Sequence, residues 1–258
     1  MTELNAPLIA HLESGGTVVT GTRRQARLLL RLHEAAQRRA GRRVWPSADV
    51  LPLESWLERS WHACAGGGSV RLLGVAQAQW LWRREVEQSG EATLVDARAL
   101  GAAARASWVE LVRRGGTCTE LAPLPLTRDQ QCFLGWARGV EARLVELNWL
   151  DPACLPAWLG AHADALPERQ PLLFAGVEPT PALRGLARAL AAAGRTVDWA
   201  AAGRPAAPLV AAAAEHPQAE LEALLGWVAA RLRRDPGALL GVLVPDLAGR
   251  RGGLQREF

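Results

Sequence analysis

Two short runs, Thr17-Val18-Val19-Thr20 and Leu172-Leu173-Phe174-Ala175, are apolar or β-branched, end on a glycine and lead into helical patterns. Each reads as a buried strand feeding a helix. The first passes through Gly21 into a helix over residues 22–40, with Thr22 as N-cap and Gly41 as stop. On it Ala26, Leu29, Leu30, His33 and Ala36 or Gln37 follow one face, and Arg23, Arg27, Arg31 and Arg38 lie toward the other. The second breaks at Gly176 and is followed by a helix over 181–193, a stop at Gly194 and a strand over 196–199.

Between these stretches the chain is helical. An extended piece over 42–45 ends at Pro46, and a helix over 53–63 carries Trp56, Leu57 and Trp61. Helices are expected over 74–89, 96–113 and 128–148, the last opened by Thr127 and Gln130 at capping-box spacing. Asp151-Pro152 opens a further helix near 155–166 that Pro156 would distort. Toward the end, 209–213 and 239–244 read as strands, 218–234 as an amphipathic helix and 247 onward as another. The layout is an α/β sheet with an all-helical block inserted.

Composition removes several function classes. The 258 residues are 49% hydrophobic and 22% charged, so the chain can bury a core and is not disordered throughout. No apolar run approaches the ~20 residues of a membrane-spanning helix, and the first residues lack the basic flank of a secretory signal. Cys64, Cys118, Cys132 and Cys154 are scattered without metal-ligand spacing, which favours reduced, mostly buried thiols in the cytoplasm. There is no lysine at all; all 30 basic residues are arginine. A P-loop lysine, a Schiff-base lysine and a Ser-Lys pair are thereby excluded.

Nor do the remaining residues spell a catalytic site. The histidines (His11, His33, His62, His162, His216) show no HExxH, no GxSxG elbow is present, and Glu178 stands alone after its strand. No catalytic residue, cofactor site or metal site is assigned.

The net charge of +4 is unevenly placed. Residues 21–43 hold eight arginines against the single acid Glu34. Such a segment favours phosphate or acidic partners; the alternative is a solvated helix face whose acidic counterparts lie elsewhere in the fold. Among the eleven tryptophans, Trp45 lies nearest the arginine run and could stack on an unpaired base, although tryptophan at helical spacing is usually core.

The run TVVTGTRRQARLLLRLHEAAQRRAGRRVWPSADVLPLESWLERSW resembles the N-terminal part of bacterial DNA-repair proteins that join an inactivated superfamily-1 helicase core to a C-terminal PD-(D/E)XK nuclease. These are similar to the B subunit of the AddAB helicase–nuclease. LLFAGVEPTPALRGLARALAAAGRTVDWA resembles their Walker-B region, with Ala175-Gly176-Val177-Glu178 where an active motor has Asp-Glu. HPQAELEALLGWVAARLRRDPGALLGVLVPDLAGRR resembles the lead into the second motor domain.

The resemblance implies a degenerate RecA-like parallel sheet of the helicase 1A type in segments 1–63 and 169–236. A 1B-like helical insertion would fill 64–168, and 237–258 would begin a second, truncated motor-like domain. It also implies no ATPase activity, and a grip on single-stranded DNA or DNA ends through Thr20, Gly21, Thr22, Arg23, Arg24 and Arg27, aided by Trp45. A helicase–nuclease subunit would be the partner. Two other readings stay open: a small α/β enzyme acting on a phosphorylated small molecule at the turn near Gly21, and a scaffold whose arginines meet an acidic partner protein.

Overall fold

A computed structural model describes residues 6–64, 70–90, 96–200 and 210–257. Its centre is a four-stranded, wholly parallel sheet of β1 (Thr17–Thr20), β2 (Asp49–Pro52), β5 (Leu172–Ala175) and β6 (Val197–Trp199), in the order β2-β1-β5-β6. β1 is the inner strand on which the order reverses, pairing Thr17 with Asp49 on one side and with Leu172 on the other.

Successive side chains of a strand face opposite ways, so each strand supplies two cores. Val18, Val50, Leu173 and Ala175 pack with Leu12 of α1 (Ala6–Glu13) and with Ala26 and Leu29 of α2 (Arg23–Arg39). Val19, Leu172 and Phe174 face the other way. They meet Trp56 and Leu57 of α3 (Leu53–Cys64), Leu155 and Leu159 of α8 (Leu155–Ala161), and Leu183, Leu186 and Leu190 of α9 (Pro181–Ala192). Trp56 meets Phe174 edge-on at 5.9 Å, and Trp199 stacks on the same ring at 4.5 Å. Helices on both faces explain why β1 and β5 are buried along their whole length.

A third core belongs to the helices inserted between α3 and β5: α4 (Val75–Gln88), α5 (Ala97–Arg113), the short α6 (Cys118–Leu121) and α7 (Arg128–Glu146). Trp82, Trp108 and Trp136 are buried in it with Leu81, Val86, Ala137 and Val140. Trp82 stacks on Phe133, and the Trp136 indole N–H donates to Ser89 at 2.9 Å. A two-stranded parallel ribbon, β3 (Arg71–Leu72) with β4 (Trp149–Leu150), closes the base of this block. The Thr127–Gln130 capping box forms as the spacing predicts.

Several expectations are corrected. The extended piece over 42–45 is irregular, with Val44 exposed, and the strand lies instead at β2, whose Val50 can enter the sheet core. Arg42 and Arg43 are both exposed, whereas β2 is half-buried and its Val50 buried. Pro156 does not distort a helix: it occupies the first turn of α8, where a missing amide costs nothing. The helix near 155–166 divides into a 3-10 turn, α8 and a second 3-10 turn. In packing, Leu155, Leu159, Ala163 and Leu166 belong to the sheet core, while Cys154 touches the helical one.

The chain divides into two compact units, Met1–Gly203 and Arg204–Phe258, so sheet and helical block share one unit. In the second unit α10 (Pro217–Arg234) and α11 (Leu247–Glu257) are joined by irregular chain, and Arg250 bonds Glu220 at 2.9 Å. The strand expected over 239–244 is irregular chain with Leu239 and Leu243 almost fully exposed. Of the strand expected over 209–213, residue 209 lies outside the described residues and 210–213 is irregular. Among the described residues no neighbouring strand is available to either, and a strand is defined by its pairing.

Candidate anion-binding edge of the sheet

Parallel strands all present their carboxyl ends at one edge. Where the strand order reverses, the loops diverge and leave a crevice. Here the reversal lies between β1 and β5, and the segments meeting there are Thr20-Gly21-Thr22 and Gly176-Val177-Glu178. Gly21 is required by contact. A Cβ on it would lie 2.3 Å from the Gly176 carbonyl oxygen, and Gly176 itself has φ +65°, in the left-handed region.

Thr20 is fully buried, and its hydroxyl donates to the Thr22 carbonyl at 3.0 Å, with the Leu51 carbonyl at 3.4 Å. It shapes the turn from inside. Thr22 is the N-cap of α2, accepting the Gln25 amide at 3.2 Å. The amides of Arg23 and Arg24 have no acceptor among the described residues, so the helix start still offers donors to an outside group.

The arginines divide into two kinds. Arg23, Arg24, Arg27 and Arg31 are all exposed, and none has a carboxylate partner among the described residues. Arg23, Arg27 and Arg31 succeed one another every four residues, with a rise of about 6 Å per step. No acid stands in the first turn of α2, so these cations add to the positive helix end instead of offsetting it. Glu178, in the segment after β5, is engaged by Arg113 of α5 at 3.0 Å. This edge is uncompensated positive charge beside free amides.

At the far end of α2 the arrangement is different. Arg38 lies 3.8 Å from Glu34, and Arg42 bonds Gln37 at 2.6 Å and approaches Glu13 at 3.7 Å. Buried Gln37 donates to Glu13 and to Nε2 of buried His33, so that ring nitrogen is the acceptor. Trp45 is half-buried in the chain leading into β2. The 17 residues of α2 and a further irregular stretch lie between it and Arg23 in the chain. Thr20, Gly21, Thr22, Arg23, Arg24 and Arg27 fall in one strand–turn–helix segment, and Trp45 lies in the chain beyond the other end of α2. Arg31 and the Gly21–Gly176 contact were not singled out by sequence reasoning; the four-residue step from Arg27 was the available signal for the first.

The rest of the described chain offers little reactive chemistry. Burial pushes the thiols of Cys118 and Cys154 up to about 12, which keeps them protonated. All four cysteines are free, although Cys118 alone is fully buried. Among the described residues no cluster of three histidine, cysteine or acidic side chains could hold a metal ion, and no helix is long and apolar enough to cross a membrane. No protein-family model matches the chain, and no curated protein is significantly similar to it.

Proposed function

We propose that the chain is a non-catalytic, helicase-like module that binds single-stranded DNA at the carboxyl edge of its sheet, within a cytoplasmic DNA-repair helicase–nuclease. The observation that carries this reading is the row of Arg23, Arg24, Arg27 and Arg31. These are four exposed guanidinium groups without carboxylate partners, beside free helix-start amides at the reversal of strand order. Guanidinium groups engage phosphate oxygens in bidentate fashion, and successive groups about 6 Å apart suit an extended polyanion better than one small phosphate.

The fold agrees with the resemblance in its main lines. A parallel sheet covered on both faces, with the segments after β1 and β5 side by side, is what a degenerate RecA-like core of the 1A type requires. In this reading the helices α4–α7, inserted between α3 and β5, would correspond to the 1B-like insertion.

A salt titration with a fluorescein-labelled single-stranded oligonucleotide tests the proposal. Three arginine–phosphate contacts give a log–log slope of about −2. Arg23→Ala/Arg24→Ala should weaken binding at low salt and flatten the slope. Absence of binding at low salt, or indifference to that double substitution, overturns the reading.

A further inference from the structure

β6 is an edge strand, and its open side is equipped to receive another. It pairs with β5 alone. The Leu172 amide donates to the Thr196 carbonyl and the Ala200 amide to the Phe174 carbonyl, both at 2.8 Å. Backbone groups of a strand alternate in direction, so those of Thr196, Asp198 and Ala200 serve β5. The amides and carbonyls of Val197 and Trp199 therefore point to the open side, where no strand among the described residues meets them. Edge strands in folded proteins are usually blunted by charge, proline or a bulge. Here the single guard is Asp198, exposed on the sheet face away from α9.

On the α9 side a groove of about 590 Å3 runs along this edge, floored by Val197, Trp199 and Ala187 and flanked by Arg184 and Arg188. Both arginines are exposed and have no carboxylate partner among the described residues; Arg188 donates only to the Arg184 carbonyl. They stand one helical turn apart, about 6 Å along the axis. Side chains on one face of an extended strand repeat every ~6.6 Å. The two spacings match.

We infer that the β6 edge is a docking surface for an extended segment of a partner protein, which adds as a fifth strand and presents two acidic side chains, two residues apart, to Arg184 and Arg188. The methylene stems of those acids cover Val197 and the Trp199 ring, while Asp198 disfavours acids on the guest's other face. In this mode main-chain hydrogen bonds supply affinity and the alternate side chains supply specificity. The surface lies on a different strand and helix from the arginines of α2.

The probe is a fluorescein-labelled peptide, Thr-Val-Thr-Glu-Thr-Glu-Thr-Val-Thr, whose one face reads Val-Glu-Glu-Val, titrated against the full chain by fluorescence polarisation. Saturable binding is expected, weakened at least about tenfold by Arg184→Glu/Arg188→Glu. Val197→Pro should weaken it comparably by removing an outward amide, a change that an edge strand tolerates. Circular dichroism of both variants should match the parent. A peptide with both Glu replaced by Lys, and one N-methylated on alternate residues to block its edge, should fail to bind. Equal binding of either control overturns the proposal, as does no binding of the acidic peptide. So does loss of oligonucleotide binding in Arg184→Glu/Arg188→Glu with peptide binding intact, which would assign these arginines to nucleic acid. Self-association of the chain that the peptide cannot displace would assign the edge to a second copy.

Discussion

The two edges of the sheet use the same residue in opposite ways. At the carboxyl edge Arg23, Arg24, Arg27 and Arg31 stand in solvent with no acid to hold them. At the amino edge Arg59 of α3 makes two bonds to Asp49, at 2.7 and 2.8 Å, and a third to Glu168 at 3.3 Å, while Thr17 donates to the same Asp49 at 2.7 Å. Arg195 completes that cluster, buried beside the Trp56 ring and donating to the Gln170 carbonyl at 2.8 Å. One edge is ion-paired internally and ties β1, β2 and the segment before β5 together, although Nε of Arg59 and both terminal nitrogens of Arg195 are buried without a hydrogen-bond partner among the described residues. The other is left unsatisfied at a cost in charge repulsion, which a bound polyanion would relieve. Arginine content therefore says little about partners; the placement of the acids decides.

Substitutions that respect this division should separate binding from stability. The largest effect is expected from Arg23→Ala/Arg24→Ala/Arg27→Ala. Three charge-assisted contacts at about 1 kcal/mol each correspond to a loss of affinity on the order of 100-fold for a single-stranded oligonucleotide at low salt. Urea titration of the same variant should show little change in stability, because exposed arginines away from any network contribute within about 0.5 kcal/mol each. An unfolding midpoint that falls sharply would mean the carboxyl-edge arginines are structural after all.

Arg59→Ala should do the reverse. It leaves oligonucleotide binding unchanged and costs about 1–2 kcal/mol in urea titration, a figure kept low because both partners are about a third exposed. The pH profile sharpens the same contrast. The Arg59 guanidinium holds the Asp49 carboxyl below its ordinary value of 3.8, so this ion pair stabilises the fold fully above that value. The contribution is lost as pH falls through the folded-state value. The gap in melting temperature between the parent and Asp49→Asn should accordingly be open at neutral pH and narrow in strongly acidic buffer; a gap of constant size would remove the ionic explanation. Smallest of all, Trp45→Ala should leave oligonucleotide affinity within about twofold, since that indole lies in the chain beyond the opposite end of α2 from Arg23. A larger loss would extend the binding path along the whole helix.

How far the sequence was legible follows from where each signal is stored. β1, β5, α2, α7 and α9 were readable because apolar periodicity, an N-cap threonine and a stopping glycine are local. β2 was missed because Val50 and Leu51 are its only strongly apolar residues, and its identity as a strand comes from pairing with β1. The two-residue strands β3 and β4 carry no local pattern at all; the ribbon exists because α4 and α7 bring their ends together. For the same reason 239–244, apolar enough for a strand, is not one where the described residues supply no neighbour.

Local chemistry was enough to establish that a strand, a glycine turn and an arginine-bearing helix follow one another, and that lysine-dependent motor chemistry is impossible in this chain. Which arginines are free could not be read that way. Charge compensation acts between residues distant in the chain: Asp49 lies ten positions from Arg59, and Glu168 more than a hundred. Only the packed sheet brings those acids to one edge and withholds them from the other, and that separation makes the carboxyl edge a candidate site.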